Sequence, residues 1–246
     1  MSAIVTVSFP DWESFRRDYR HTLFGAEKAD KSRYLFRGQS DSEWRLESSF
    51  DRWFSGTGRP APDRANVARK LLDGFARELM NSAEHKETQN LSDEEVMALG
   101  QHYGLPTRLL DWSRSLYIAA YFAFSDSLFM ERKSRFVAIW ALNAVSPVWT
   151  GEFGARIINL PAKSNARLRN QESCFTLLSS LSSSLEDFVD GVASVASEPL
   201  LYQLVIPASC AKEAVDDLDF IGFSARRLFP DFEGYARSAF AAIATR

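Results

Sequence analysis

Alternating apolar and polar positions from Ile4 to Phe9 predict a strand, and Pro10-Asp11 opens a helix with Trp12, Phe15 and Tyr19 at helical spacing. Arg33 to Gly38 (Arg-Tyr-Leu-Phe-Arg-Gly) predicts a short buried strand, which the polar turn Gln39-Ser40-Asp41-Ser42 follows. Its end is a place where side chains can face a cleft. Ser55 to Pro62 is a loop, and Val67, Leu71, Leu72, Phe75 and Leu79 behind it form one apolar helix stripe. Ser92-Asp93-Glu94-Glu95 is a capping box that starts a helix through Val96, Leu99 and Gly100 and delivers His102 and Tyr103 to its C-terminal end. Pro106 cannot continue that helix, so Gly104 to Thr107 is a turn, and Arg108 to Trp112 is a second short strand or turn.

After Ser113 and Ser115, the small residues Ala119, Ala120 and Ala123 with Leu116 predict a helix able to lie close on a sheet. Phe136 to Leu142 and Leu200 to Ile206 are apolar runs of strand length, read as central strands. Ser179 to Ser197 reads as a serine-rich loop with a helical turn around Leu185 to Val189. Two helices close the chain, from about Ala208 to Asp219 and from about Phe229 to Ala242. No internal repeat is visible.

Composition narrows the class. The chain has 246 residues, 46% hydrophobic and 25% charged, as expected of one globular domain rather than a disordered or coiled-coil chain. A chain of this length buries roughly 70% of its unfolded surface without disulfides or metal. It has two cysteines, Cys174 and Cys210, no secretory leader, and no apolar run longer than Leu116 to Phe124, which leads us to expect a cytoplasmic protein with reduced thiols and no membrane span. A net charge of −3 argues against a generic polyanion binder. Three histidines, His21, His85 and His102, make a multi-histidine metal site improbable, and no metal is expected.

Four blocks combine polar groups with structural punctuation: Phe36 to Gln39, Gln101 to Trp112, Arg169 to Thr176, and Leu228 to Gly234. Together they resemble the FRG domain family, named for Phe-Arg-Gly; the likeness runs from about Trp12 to the last helix, and we expect residues 1–246 to form one such domain with a helical insertion at about 60–105. The twelve-residue second block is its most specific part. Ser173 stands where glycine is expected, which makes the turn geometry there a departure.

The resemblance implies a mixed α/β (α+β) fold similar to ADP-ribosyltransferases, a split antiparallel sheet with helical insertions. It also implies an activity, transfer of ADP-ribose from NAD to RNA or protein, in a toxin or antiviral effector held in check by a neutralising partner. By that analogy Arg37 holds a phosphate or ribose of NAD, Ser113 fixes the nicotinamide pocket, and Gln171 and Glu172 form a late acidic loop. Gln39 and Tyr103 complete the implied cofactor-binding set.

The chemistry of the step suits these residue types. Cleaving the bond to nicotinamide builds positive charge on the ribose, which a carboxylate such as Glu172 stabilises. Arg37 suits a diphosphate, Gly38 permits close approach to the backbone, and Tyr117 or Tyr121 offers a ring to nicotinamide. His102 is a ligand or proton-transfer group, or else only caps helix carbonyls. Each role has a structural competitor. Arg37 can pair with Asp111 or Asp231, Arg108 and Asp111 can fix the turn around Pro106, Tyr117 and Tyr121 can be core, and Glu233 or Asp231 can supply the carboxylate. Cys174 reads as packing. Phe153 to Gln171 holds Arg156, Lys163, Arg167 and Arg169 with no acid, which is a basic arm for nucleic acid or a solvated loop. The rival functions are a non-catalytic FRG module that binds nucleotide, RNA or protein, and a metal-independent ribonuclease built on His102 and Arg37.

Overall fold

Strand β1 (Ile4–Ser8) leads into α1 (Trp12–Phe24), which starts where the Asp11 carboxylate accepts the Ser14 N–H at 2.7 Å. The structure is a computed structural model that describes residues 2–30, 32–81, 91–129, 134–161 and 166–244; His85 and Lys163 lie outside the described residues. β2 (Tyr34–Gln39) carries Phe-Arg-Gly. Among the described residues three α-helices follow before the next strand: α2 (Ser49–Ser55), α3 (Arg64–Asn81) and α4 (Asp93–His102). The capping box expected at α4 is complete: Ser92 Oγ accepts the Glu95 N–H, and the Glu95 carboxylate accepts the Ser92 N–H at 2.8 Å. β3 (Leu109–Ser113) and α5 (Leu116–Phe129) come next, then β4 (Phe136–Asn143), β5 (Ala155–Ile158), α6 (Ala166–Asn170) and β6 (Ser173–Leu178). The chain continues through α7 (Leu185–Gly191), β7 (Leu201–Pro207), α8 (Ala211–Phe220), α9 (Ala225–Leu228) and α10 (Phe232–Ala244).

Among the described residues seven strands form one sheet in the order β1-β7-β4-β2-β3-β6-β5. β1 runs parallel to β7 and the other pairs are antiparallel, so the sheet is mixed rather than wholly antiparallel. β2 aligns with β4 over its whole length, from Tyr34↔Asn143 to Gln39↔Ala138, but meets β3 only at Phe36↔Ser113. The sheet therefore all but parts between β2 and β3. Alternate residues of β4 feed two cores: Val137, Ile139 and Ala141 pack with α1, α5 and α8 on one face, and Ala138, Trp140 and Leu142 pack under α7 on the other. Burial on both faces is why this strand reads as an unbroken apolar run.

Gly38 explains the placing of α5. A Cβ there would lie 1.9 Å from the Ala119 carbonyl oxygen and 2.7 Å from the Ala123 nitrogen, so glycine on the strand and alanine on the helix let the two backbones touch. The helix expected from about Phe229 is present as α10 but starts three residues later, because Phe229 is extended ahead of Pro230, as the residue before a proline prefers; the short α9 ends just before it. Among the described residues no helix is long and apolar enough to cross a membrane.

Candidate functional site

Where β2 and β3 part, a cleft of about 350 Å³ opens. Phe36, Arg37 and Gly38 form its β2 side, and Asp111, Trp112 and Ser113 its β3 side. Gln101 and His102 reach it from the last turn of α4, and Ala119, Phe122 and Asp126 from one face of α5. Arg167, Gln171 and Phe175 close it from α6, the turn after it and β6.

The charges are arranged so that they do not simply cancel. Arg37 donates from Nη1 to the main-chain carbonyl of Asp111 at 2.8 Å, and its buried Nε has no partner among the described residues. Burial lowers the Arg37 pKa, Asp111 opposes that shift, and Arg52 adds to it. The Asp111 carboxylate accepts from Gln101 Nε2 at 2.6 Å, and Gln101 Oε1 in turn accepts from the Thr107 hydroxyl. That carboxylate is open to solvent through the cleft but surrounded by protein, and the crowding raises its pKa, with Arg37 the main opposing influence. Opposite, Asp126 accepts from Arg237 Nη1 at 2.8 Å, Arg237 Nε meets Glu233 at 2.9 Å, and Glu233 meets Arg167 Nη1 at 2.9 Å. This chain ties α10 to two residues of the cleft wall. The Arg167 and Arg237 guanidiniums also sit 4.6 and 4.7 Å from the Phe229 ring centre.

Of the residues singled out from sequence, Arg37, Gly38, His102, Ser113 and Gln171 line this one cleft. The backbone that approaches Gly38 is that of α5, not a ligand. Ser113 donates to the Gln171 carbonyl at 2.8 Å and accepts the Ser115 N–H at 3.1 Å, while Gln171 Nε2 reaches the Leu228 carbonyl at 3.2 Å, so both shape the wall.

The others lie elsewhere. Gln39 shares the face of β2 that carries Arg37 but is buried one step further along the strand, accepting from Trp140 Nε1 at 2.7 Å and donating to the Arg45 carbonyl at 3.1 Å. Tyr117 packs on Tyr19 and Phe223, and Tyr121 is buried with its phenol pushed up to about 12 by desolvation. Both point away because the cleft face of α5 runs through 119, 122 and 126. Tyr103 is 75% exposed beyond the helix end, edge-on to His102. Glu172 is exposed in the turn between α6 and β6, at a left-handed φ of 48°, and only its backbone is engaged, its carbonyl accepting the Arg114 N–H. The left-handed position is thus Glu172, not the neighbouring Ser173. Asp231 accepts the Glu233 N–H, and Arg108 donates to the Leu178 carbonyl rather than pairing with Asp111. Cys174 is buried, its thiol pushed up to about 12. In the basic arm, Arg156 pairs with Glu94 at 2.6 Å, as Arg167 does with Glu233.

Sequence reasoning did not assign Phe122, Asp126 or Phe175 to a site. For α5 the signal was present, since 119, 122 and 126 share a helix face. For Phe175 it was not, because β6 lay unread inside a polar block.

No curated protein and no solved structure matches the chain. Residues 32–131 match the family model of the FRG domain. That stretch holds Arg37, Gly38, Gln101, His102, Asp111, Ser113 and Asp126, whereas Arg167, Gln171 and Phe175 lie beyond it. The segment from β2 through α5, and with it most of the polar lining of the cleft, thus lies within the stretch that matches the FRG domain.

Proposed function

We propose that the cleft binds NAD and transfers its ADP-ribose to a macromolecular acceptor, RNA or protein. One observation carries the reading: at the parting of the sheet, a guanidinium with a buried unpaired donor and a carboxylate beside it face the same cavity. Arg37 supplies the donor suited to a phosphate oxygen. Phe122 and Phe175 offer the apolar faces that a nicotinamide ring requires, in place of Tyr117 and Tyr121. Asp111 takes the part first assigned to Glu172. Its ionised form stabilises the positive charge that grows on the ribose as the bond from C1′ to the nicotinamide nitrogen breaks and its electron pair leaves with neutral nicotinamide. The acceptor then bonds to C1′, and its proton passes to His102 or to water.

The test is nicotinamide release from NAD, with intact mass of RNA and protein acceptors read in parallel. Arg37→Ala should abolish both while the far-ultraviolet circular dichroism stays native. A second reading is favoured by the ion pairs that already engage Asp126 and Arg167. It is a non-catalytic module that holds a nucleotide, RNA or protein, and it predicts binding without nicotinamide release. Growth inhibition, antiviral defence and a neutralising partner extend the transferase reading, and would be seen as toxicity on expression that Arg37→Ala relieves.

A further inference from the structure

Arg37, Gln101 and Asp111 line two cavities, not one. Beyond them, toward α2, lies a second space of about 200 Å³ to which Glu47, Ser49 and Arg52 also contribute. We infer that this α2-side cavity is an anion site that takes a phosphate or diphosphate group between the guanidiniums of Arg37 and Arg52. Resting on the reading of the cleft as a nucleotide site, it seats the phosphate-bearing part of that nucleotide.

The argument starts from how the two arginines are held. Arg37 donates to the carbonyl of Asp111 at 2.8 Å, and Arg52 to the carbonyl of Glu47 at 2.6 Å. Both bonds are to neutral main-chain acceptors. Among the described residues neither guanidinium has a carboxylate oxygen within 4.0 Å, whereas Arg33, Arg45, Arg64, Arg156 and Arg237 all do. Two cations facing one small cavity repel each other, and a bound anion turns that repulsion into a shared attraction. Arg37 adds a buried Nε–H with no acceptor, so a donor is present that the fold leaves unused. After burial, Arg52 is the other influence that lowers the Arg37 pKa, consistent with two charges close enough to interact.

The rest of the lining limits the ligand. The Ser49 hydroxyl is already engaged with both the carbonyl and the N–H of Thr107. The Asp111 carboxylate is held by Gln101. Glu47 opposes an anion, which makes it a control of sign. The volume suits phosphate groups rather than a whole nucleotide.

Calorimetric titration of the full-length protein with inorganic pyrophosphate at low ionic strength tests the site. Arg52 is exposed on α2, so Arg52→Gln should keep the native unfolding temperature while weakening pyrophosphate about tenfold or more. Glu47→Gln should tighten it several-fold, and ADP should displace it. Absence of pyrophosphate binding, an unchanged Arg52→Gln, or a weakened Glu47→Gln would each overturn the anion site. Failure of ADP to compete would overturn its assignment to a nucleotide's phosphates. Nicotinamide release on the same samples reads the transferase proposal separately: pyrophosphate held through Arg52 without nicotinamide release keeps this site and removes that activity.

Discussion

Arg37 reaches Asp111 through the main chain: its Nη1 lies 2.8 Å from the Asp111 carbonyl oxygen, and the Asp111 carboxylate goes instead to Gln101. The strands β2 and β3 pair only at Phe36↔Ser113, so this bond links them beyond the point where their ladder stops. A side chain thus completes the backbone of the parted strands. Positive and negative groups remain adjacent at the cleft without consuming each other's charge.

Asp111→Asn separates catalysis from stability. Its pKa is raised above the ordinary 3.8, so the folded state prefers the protonated form, and ionised Asp111 costs stability once the pH exceeds the folded value. Asn keeps the acceptor for Gln101 and removes the charge. The variant should melt higher than the parent at pH 7, with the gap closing as the pH falls through the raised pKa toward 3.8 and below. Nicotinamide release should fall about 10²–10³-fold with NAD affinity nearly unchanged. In the parent, activity should decline in acid at a higher pH than an ordinary aspartate would give. Paired melting curves and a pH–rate profile check both halves.

Glu172 should prove dispensable to the chemistry. Its side chain is exposed and its backbone is left-handed, so Glu172→Gln should release nicotinamide at the parent rate. Glu172→Gly should stabilise the fold by about 1 kcal/mol, because glycine adopts this φ without a clashing Cβ. Urea unfolding measures the gain. An inactive Glu172→Gln would return the carboxylate role to the late loop.

Gly38→Ala should unfold the protein even though it adds one methyl group. The added carbon would meet the Ala119 carbonyl oxygen at 1.9 Å, and that oxygen belongs to helix backbone that cannot turn aside. We expect a loss of about 3 kcal/mol or more, or no soluble protein. Denaturant melts of Gly38→Ala beside Gly74→Ala, whose added carbon meets nothing within 4 Å, give the contrast.

Arg237 should govern how firmly α10 holds the cleft wall. It bonds Asp126 and Glu233, and lies 5.3 Å from the Phe129 ring centre and 4.7 Å from that of Phe229. Of α10 only Gly234 is buried, and Phe232, Tyr235 and Ile243 face outward. Arg237→Ala should speed amide exchange in α10 while costing about 1–2 kcal/mol overall, a partly exposed network being screened by water. High salt should speed the same amides in the parent. Exchange confined to other helices would show that α10 is held by packing alone.

Much of this fold was legible locally. β4 announced itself as an unbroken apolar run because both its faces are buried, α4 by its capping box, and the close seat of α5 on the sheet by its small residues, though that Gly38 is where the two meet was not read. β5 and β6 were not read, since Ala155–Ile158 is very short and β6 begins in a polar turn, and α2 was missed because about two turns of helix show little periodicity.

For the site, sequence alone determined the residues whose place depends on their own element: Arg37 near the end of β2, His102 at the end of α4, and Ser113 at the end of β3, all of which line one cleft. Only the tertiary structure decided which carboxylate faces that cleft and which aromatic rings line it. Glu172 and Tyr117 have plausible chemistry and neighbouring sequence positions, but a turn directs the first to solvent and the rotation of α5 directs the second into the core. Asp111, Asp126 and Phe175 reach the cleft because separate elements converge there. Local sequence sets an element's type and ends, but the direction of a side chain follows from what its element packs against.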